Sequence, residues 1–179
     1  MRPPESDNLI FSVGGDRDRD PKTLFAALAT TITSRPGTRA VVQTTSTLTP
    51  PAGVTVVSRL NHAELRELYA KAAIIAVATK PNLHVSGMTV SLEAAATGRP
   101  VVITETPGMT DYVRRDRTGL LTPVGDARAM SESLIRLLDE PSQAQELGLA
   151  ARTHVAAKHS SSVMAARLGE ILESKNGQG

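Results

Sequence analysis

The chain has no cysteine and no tryptophan. Without thiols there is no disulfide framework, no thiolate nucleophile and no cysteine zinc site. Aromatic side chains are almost as scarce. Phe11, Phe25, Tyr69 and Tyr112 are all that 179 residues contain. That counts against single-stranded nucleic acid as a partner, because such binding needs a row of stacking platforms. It also leaves the core to Ala, Val, Leu and Ile. Charge of one sign is missing too: 20 Lys and Arg against 18 Asp and Glu give a net charge of +2, too small an excess to attract a polyanion. Long apolar runs are absent. The longest, Ala72 to Ala78, falls far short of the roughly 20 residues a membrane span requires. Met1-Arg2-Pro3-Pro4 leads into polar residues rather than a signal-peptide core.

Several familiar sites are missing as well. Gly14-Gly15-Asp16 is not a G-x-G-x-x-G fingerprint, and no Walker A sequence occurs. His84-Val85-Ser86-Gly87-Met88 lacks the first glycine of a nucleophile elbow. His62, His84, His154 and His159 have no metal-ligand spacing along the chain. No side chain has the neighbours that would mark it as a general base, so no catalytic residue and no metal ligand is assigned.

What is present suits one globular domain: 40% of residues are hydrophobic. Residues 1–8 are Pro-rich and polar and read as a linker. Residues 9–175 read as the domain and 176–179 as a disordered tail. Leu9 to Val13 is an apolar run ending in Gly14-Gly15, a strand followed by a turn. Pro21 opens a helical stretch with Leu24, Ala27 and Leu28 at helical spacing. Arg39 to Gln43 and Val54 to Val57 read as strands. Asn61 with Glu64 forms a capping box before a helix whose apolar face is Leu65, Leu68 and Tyr69.

Ala73 to Ala78 is apolar at every position, as in a parallel strand covered on both faces. A helix is predicted from about Ser86 to Thr97, stopped by Gly98, then strands at Pro100 to Ile103 and Gly119 to Thr122. Helices fill the rest, from Asp126, from Pro141 and from about Ser160 to Glu173. Strands alternating with helices imply βαβ units. The expected fold is α/β: a doubly wound, Rossmann-like parallel sheet with flanking helices.

In such a sheet ligands bind beyond the carboxyl ends of the strands, at the point where strand order reverses. Two predicted loops lie there. In the first, Gly14 and Gly15 let backbone approach a ligand, and Arg17 and Arg19 offer guanidiniums to phosphate oxygens. The same mixed-charge run also reads as a solvated turn with local ion pairs. In the second, Ser86-Gly87-Met88-Thr89 stands at a helix start, where unpaired N–H groups and the helix dipole favour an anion. Glu93 lies about 9 Å further along that helix, within reach of a ribose whose phosphate sits at its start. Glu93 also reads as an exposed helix charge, but Ala94-Ala95-Ala96 beside it suggests burial, and a buried Glu needs a partner.

The stretch from Ser86 to Val102, SGMTVSLEAAATGRPVV, resembles the donor-site helix of the family 4 (group 1) glycosyltransferases. Thr106 to Val113, Arg117 to Pro123 and Gly125-Asp126 continue the resemblance. Ser12 to Asp16, with Arg19-Asp20 and Thr23-Leu24, is similar to the opening of that family's C-terminal domain. The resemblance implies half of a GT-B fold, two Rossmann-like domains facing across a cleft. It implies a retaining-type transfer of sugar from a nucleoside diphosphate sugar to an acceptor hydroxyl, with no cofactor and no bound metal. Carried over by position, Glu93 holds the donor ribose. Gly87, Met88 and Thr89 lie under the diphosphate, Arg19 is the phosphate-binding cation, and Arg59 and Leu60 flank the base.

Two positions depart from the family pattern. Val85 replaces a Glu near the donor sugar, which leaves the stereochemical outcome open, and Gly14-Gly15 stands where Gly-Arg is common. The expected partners are the nucleotide-sugar donor and an acceptor-binding N-terminal domain absent from these residues. The expected location is the cytoplasm, with peripheral association at the inner membrane face as a further expectation for the full enzyme. A free-standing nucleotide-sugar-binding module, a subunit of a split enzyme and a nucleotide-sugar epimerase are the alternatives.

Overall fold

A computed structural model describes residues 8–176. The linker expected over residues 1–8 and the tail expected over 176–179 lie outside the described residues except for Asn8 and Asn176. The elements follow the hydrophobic pattern. β1 (Leu9–Val13), β2 (Arg39–Gln43), β3 (Val54–Val57), β4 (Ile74–Val77), β5 (Val101–Thr104) and β6 (Leu120–Thr122) form one six-stranded sheet. All its pairings are parallel, and its order is β3-β2-β1-β4-β5-β6. Order reverses between β1 and β4, which are neighbours, with Ile10 opposite Ile74. The helices are α1 (Pro21–Ser34), α2 (His62–Lys71), α3 (Met88–Ala96), α4 (Ala127–Asp139), α5 (Pro141–Lys158) and α6 (Ser161–Asn176). A short 3-10 turn covers Met109–Asp111.

The central strands feed two cores, because successive side chains point to opposite faces. On β4, Ile74 and Ala76 join Leu24, Leu28, Met130 and Leu134 on one face. Ile75 and Val77 join Phe11, Tyr69, Val90 and Ala94 on the other. This two-sided burial is why Ala73 to Ala78 shows no polar alternation.

Caps fix where the helices begin. Asp20 accepts the Thr23 amide at 3.0 Å, and Asp126 accepts the Ala129 amide at 2.8 Å. Asn61 and Glu64 form the reciprocal box expected from sequence. α3 starts two residues later than its expected start at Ser86, because Gly87 takes φ 96° and serves as its N-cap without a side-chain bond. α6 extends to Asn176, which was expected in the tail.

α5 crosses the turn that ends α3. A Cβ at Gly148 would lie 2.1 Å from the Gly98 carbonyl oxygen, a backbone atom with no room to retreat. Gly148→Ala should therefore destabilise the fold by about 1–3 kcal/mol or more, the range for overpacking. Urea unfolding checks this, with Gly169→Ala as the control, since a Cβ there meets no atom within 4 Å.

Candidate functional site at the sheet switch point

The loops leaving β1 and β4 meet at the carboxyl edge of the sheet, where strand order reverses. Backbone bonds join them. Asp20 N–H donates to the Ala78 carbonyl at 2.9 Å, Lys80 N–H donates to the Asp18 carbonyl at 2.8 Å, and Arg19 bridges Thr79. Gly14, at φ 139°, makes the first turn after β1.

Arg19 lies folded inward between the two glycines the sequence marked. A Cβ at Gly14 would be 2.4 Å from its Nε, and one at Gly87 would be 3.1 Å from its Nη1. No larger side chain at Gly14 is compatible with this placement. Nε and Nη1 are buried and have no hydrogen-bond partner among the described residues. Burial lowers the guanidinium pKa, while Asp16 and Tyr69 raise it. Two desolvated nitrogens of a cation thus lie between the two loops, Nε against Gly14 and Nη1 against Gly87 at the start of α3. There the Met88 amide is taken by the Val85 carbonyl at 3.0 Å. The amides of Thr89 and Val90, one and two positions further on, have no acceptor within the helix. The resulting electrostatic shape is that of an anion site.

Glu93 does have the partner that its neighbours implied. The Tyr69 hydroxyl donates to its Oε2 at 2.7 Å. Tyr69 is 2% exposed and packs edge-on against Phe11, with ring centroids 5.3 Å apart. Burial first, and the Glu93 carboxylate second, push the phenol pKa upward. A carboxylate offers about four lone-pair positions, so one Tyr bond leaves acceptor capacity for ligand hydroxyls.

The remaining sequence-predicted residues divide. Gly87 is buried at the helix start, Met88 is half-buried and Thr89 is exposed. Ser86 is 3% exposed, with its amide bonded to Asn82 Oδ1 at 2.9 Å and its hydroxyl to Asp16 Oδ2 at 2.8 Å. Leu60 packs against the Tyr69 core while Arg59 is exposed. Gly15 is exposed, with Thr45 beside it. Arg17 points into solvent, its side chain 88% exposed and paired with its neighbour Asp18 at 3.6 Å. The loop does not fold Arg17 inward as it does Arg19.

Sequence spacing missed a cluster that only the fold creates. Asp16, Asp18 and His84 bring three possible ligand atoms within 4.8 Å of one another, and Nε2 of His84 is 3.5 Å from both carboxylates. Val85 takes φ 55°, and its side chain turns under Gly108, where an added Cβ would meet it at 3.0 Å. Position 84 thereby faces the loop of Asp16, while position 85 packs partly into the apolar interior.

A family model described as "Glycosyl transferases group 1" matches residues 17–140. A GDP-mannose-dependent monoacylated alpha-(1-6)-phosphatidylinositol monomannoside mannosyltransferase of Corynebacterium glutamicum is 36% identical over 126 residues, 68% of this chain and 33% of that protein. A D-inositol 3-phosphate glycosyltransferase of Thermobispora bispora is 35% identical over 108 residues, 60% of this chain and 24% of that protein. Among solved structures, Anabaena HepE in complex with UDP and glucose superposes with a TM-score of 0.79 at 16% identity, covering 94% of this chain and 49% of that one. Sucrose-phosphate synthase from Thermosynechococcus elongatus superposes with a TM-score of 0.75 at 22% identity, covering 98% of this chain and 47% of that one. The fold is shared with both. The chain spans a third or less of these curated relatives and about half of these solved chains.

The Tyr69–Glu93 bond generates a test independent of any ligand. Tyr69→Phe should cost about 1.5–3 kcal/mol of stability, the range for a hydrogen bond to a charged group. The loss should shrink when Glu93 is already Ala, as a double-mutant cycle in urea would read.

Proposed function

The chain belongs to the group 1 glycosyltransferase family, and on that premise we propose that it is the donor-binding domain of an enzyme that transfers sugar from a nucleoside diphosphate sugar to an acceptor hydroxyl. The observation that carries this reading is the pair of buried, unpartnered Arg19 nitrogens, Nε beside Gly14 and Nη1 beside Gly87 at the start of α3. A cation that has lost its water and gained no protein acceptor is stabilised by an anion placed between it and the helix N-terminus. The family resemblance makes that anion the diphosphate. Glu93 then receives the ribose hydroxyls, Leu60 and Arg59 lie beside the base, and Gly14 lets the loop close over the phosphates. Negative charge grows on the diphosphate as the sugar departs. Prealigned donors there stabilise the transition state more than the ground state. In this reading the charge is met by Arg19 and helix amides, so no bound metal is required. Thr89 stands at the same helix start, and Arg17 is available only if the loop rearranges.

An acceptor-binding half completes the enzyme. Its absence from these residues fits the fraction of the relatives that the chain spans. Met164, Leu168, Ile171 and Leu172 are also exposed along one face of α6, an apolar stripe that a second domain would cover. Among the described residues no helix is long and apolar enough to cross a membrane. We place the protein in the cytoplasm on the strength of its nucleotide-sugar donor.

Calorimetry with UDP and GDP tests the site. Glu93→Ala should weaken binding by about 1.5–3 kcal/mol. Arg19→Ala should reduce affinity for the diphosphate far more than for uridine or guanosine, and binding should survive EDTA. Equal losses for nucleoside and diphosphate, or dependence on magnesium, would remove the anion site. Transfer assays test the division of labour. The 179-residue chain should bind donor yet transfer no sugar, because orientation by the missing half accounts for roughly 7–11 kcal/mol of such a barrier. Robust transfer by this chain alone would overturn the two-half reading. Transfer restored by a separately encoded acceptor domain would identify a split enzyme.

A further inference from the structure

One side chain ties together the two loops of the donor site. Asp16 lies on the loop after β1, three residues before Arg19. Its Oδ1 accepts the Asp18 amide at 3.0 Å, and its Oδ2 accepts the Ser86 hydroxyl at 2.8 Å, across the switch point. The backbone bonds between these loops reach only the first residues after β4, Ala78 to Lys80. The Asp16–Ser86 bond reaches the last of them. Ser86 is 3% exposed and directly precedes Gly87, against which Arg19 Nη1 lies. One carboxylate therefore shapes its own loop and holds the residue next to Gly87, the N-cap of α3.

A carboxylate is an unfavourable neighbour for a diphosphate, since like charges repel in a partly desolvated site. Asp16 nonetheless stands there, with both its oxygens engaged. The Asp18 amide, then the Ser86 hydroxyl, keep its pKa down at about 2. His84 Nε2, 3.5 Å away, faces the same carboxylate from the β4–α3 loop. The two bonds that its oxygens accept, one from each loop, point to a geometric task.

We propose that Asp16 is a positioning residue for the diphosphate site: by holding Ser86 it fixes Gly87 and the first turn of α3 against the Arg19 guanidinium. The inference rests on the donor-site reading above and adds to it a residue that acts through others rather than by touching ligand. It separates geometry from charge, because the two predict opposite signs. If Asp16 only repels phosphate, removing its charge tightens binding in every variant. If it positions, Asp16→Ala weakens binding, while Asp16→Asn, which can still accept from the Asp18 amide and donate to Ser86 Oγ, keeps most of the affinity.

The experiment pairs calorimetry with amide hydrogen exchange on the 179-residue chain. Asp16→Ala and Ser86→Ala should each weaken UDP or GDP binding by about tenfold, the scale of one hydrogen bond to a charged group. Uridine and guanosine affinities should stay unchanged. The double variant should bind no worse than Asp16→Ala alone, since both remove one tie. Without ligand, both single variants should speed exchange across residues 86–90, and Asp16→Asn should not. Tighter binding in Asp16→Ala, or unchanged exchange and affinity, would overturn the proposal. If Arg19→Ala loses binding and Asp16→Ala does not, the inference fails and the donor site stands. A wild-type chain that binds neither UDP nor GDP would bring down both. Asp16→Asn and Ser86→Ala, which hardly change volume, decide the matter should Asp16→Ala fail to fold.

Discussion

The burial of the Arg19 guanidinium constrains everything around it. Taking a cation out of water costs several kcal/mol unless acceptors replace the lost solvent. Here Nε and Nη1 have no such acceptors among the described residues. The guanidinium is held in place by shape: Gly14 on one side and Gly87 on the other leave the space it fills. Both glycines adopt positive φ, so the backbone that encloses the cation is one a larger side chain would strain. In the proposed donor-binding role, an anion would offset the cost of this arrangement.

Around that cation the molecule sorts its polar groups by reach. Asp16 works through Ser86, and Tyr69 works through Glu93. Each pair joins a buried side chain, Ser86 or Tyr69, to one more open to solvent, Asp16 or Glu93. The α3 helix is the common rail. Its start faces Arg19, its middle carries Glu93, and its end is fixed by α5 pressing Gly148 onto Gly98. A shift at any of these points moves the others, since a helix of nine residues is rigid on this scale.

How much of this was legible in the sequence depended on whether the signal was local. The strands read cleanly because Leu9–Val13 and Ile74–Val77 are apolar runs bounded by turns. The capping box at Asn61 and Glu64 read cleanly because it spans one helical turn. Glu93 read as needing a partner because alanines surround it, although Tyr69 could not be named, lying 24 residues away on another helix. By local sequence alone Arg17 and Arg19 looked equivalent, two cations in one loop, although the family resemblance favoured Arg19. Only the backbone path turns one inward and leaves the other in solvent. The Asp16–Ser86 tie and the Asp16, Asp18 and His84 cluster were invisible because each joins side chains about 70 positions apart. Val85 drew notice as a departure from a family pattern, but its φ of 55° and its packing under Gly108 had no local signature.

The parallel order of the sheet has a kinetic consequence. β1 pairs with β2 across one crossover, but it meets β4 only after β2, β3 and two helices have been laid down between them. Such non-local closure forms slowly, because the entropy of a long loop is lost before its contacts are gained. The pocket lies on that seam and has no existence in a chain whose two halves of the sheet have yet to dock. In the proposed donor-binding role, nucleotide would recognise only the finished fold, and each molecule bound would draw the population away from half-assembled chains by mass action, clamping that join thermodynamically.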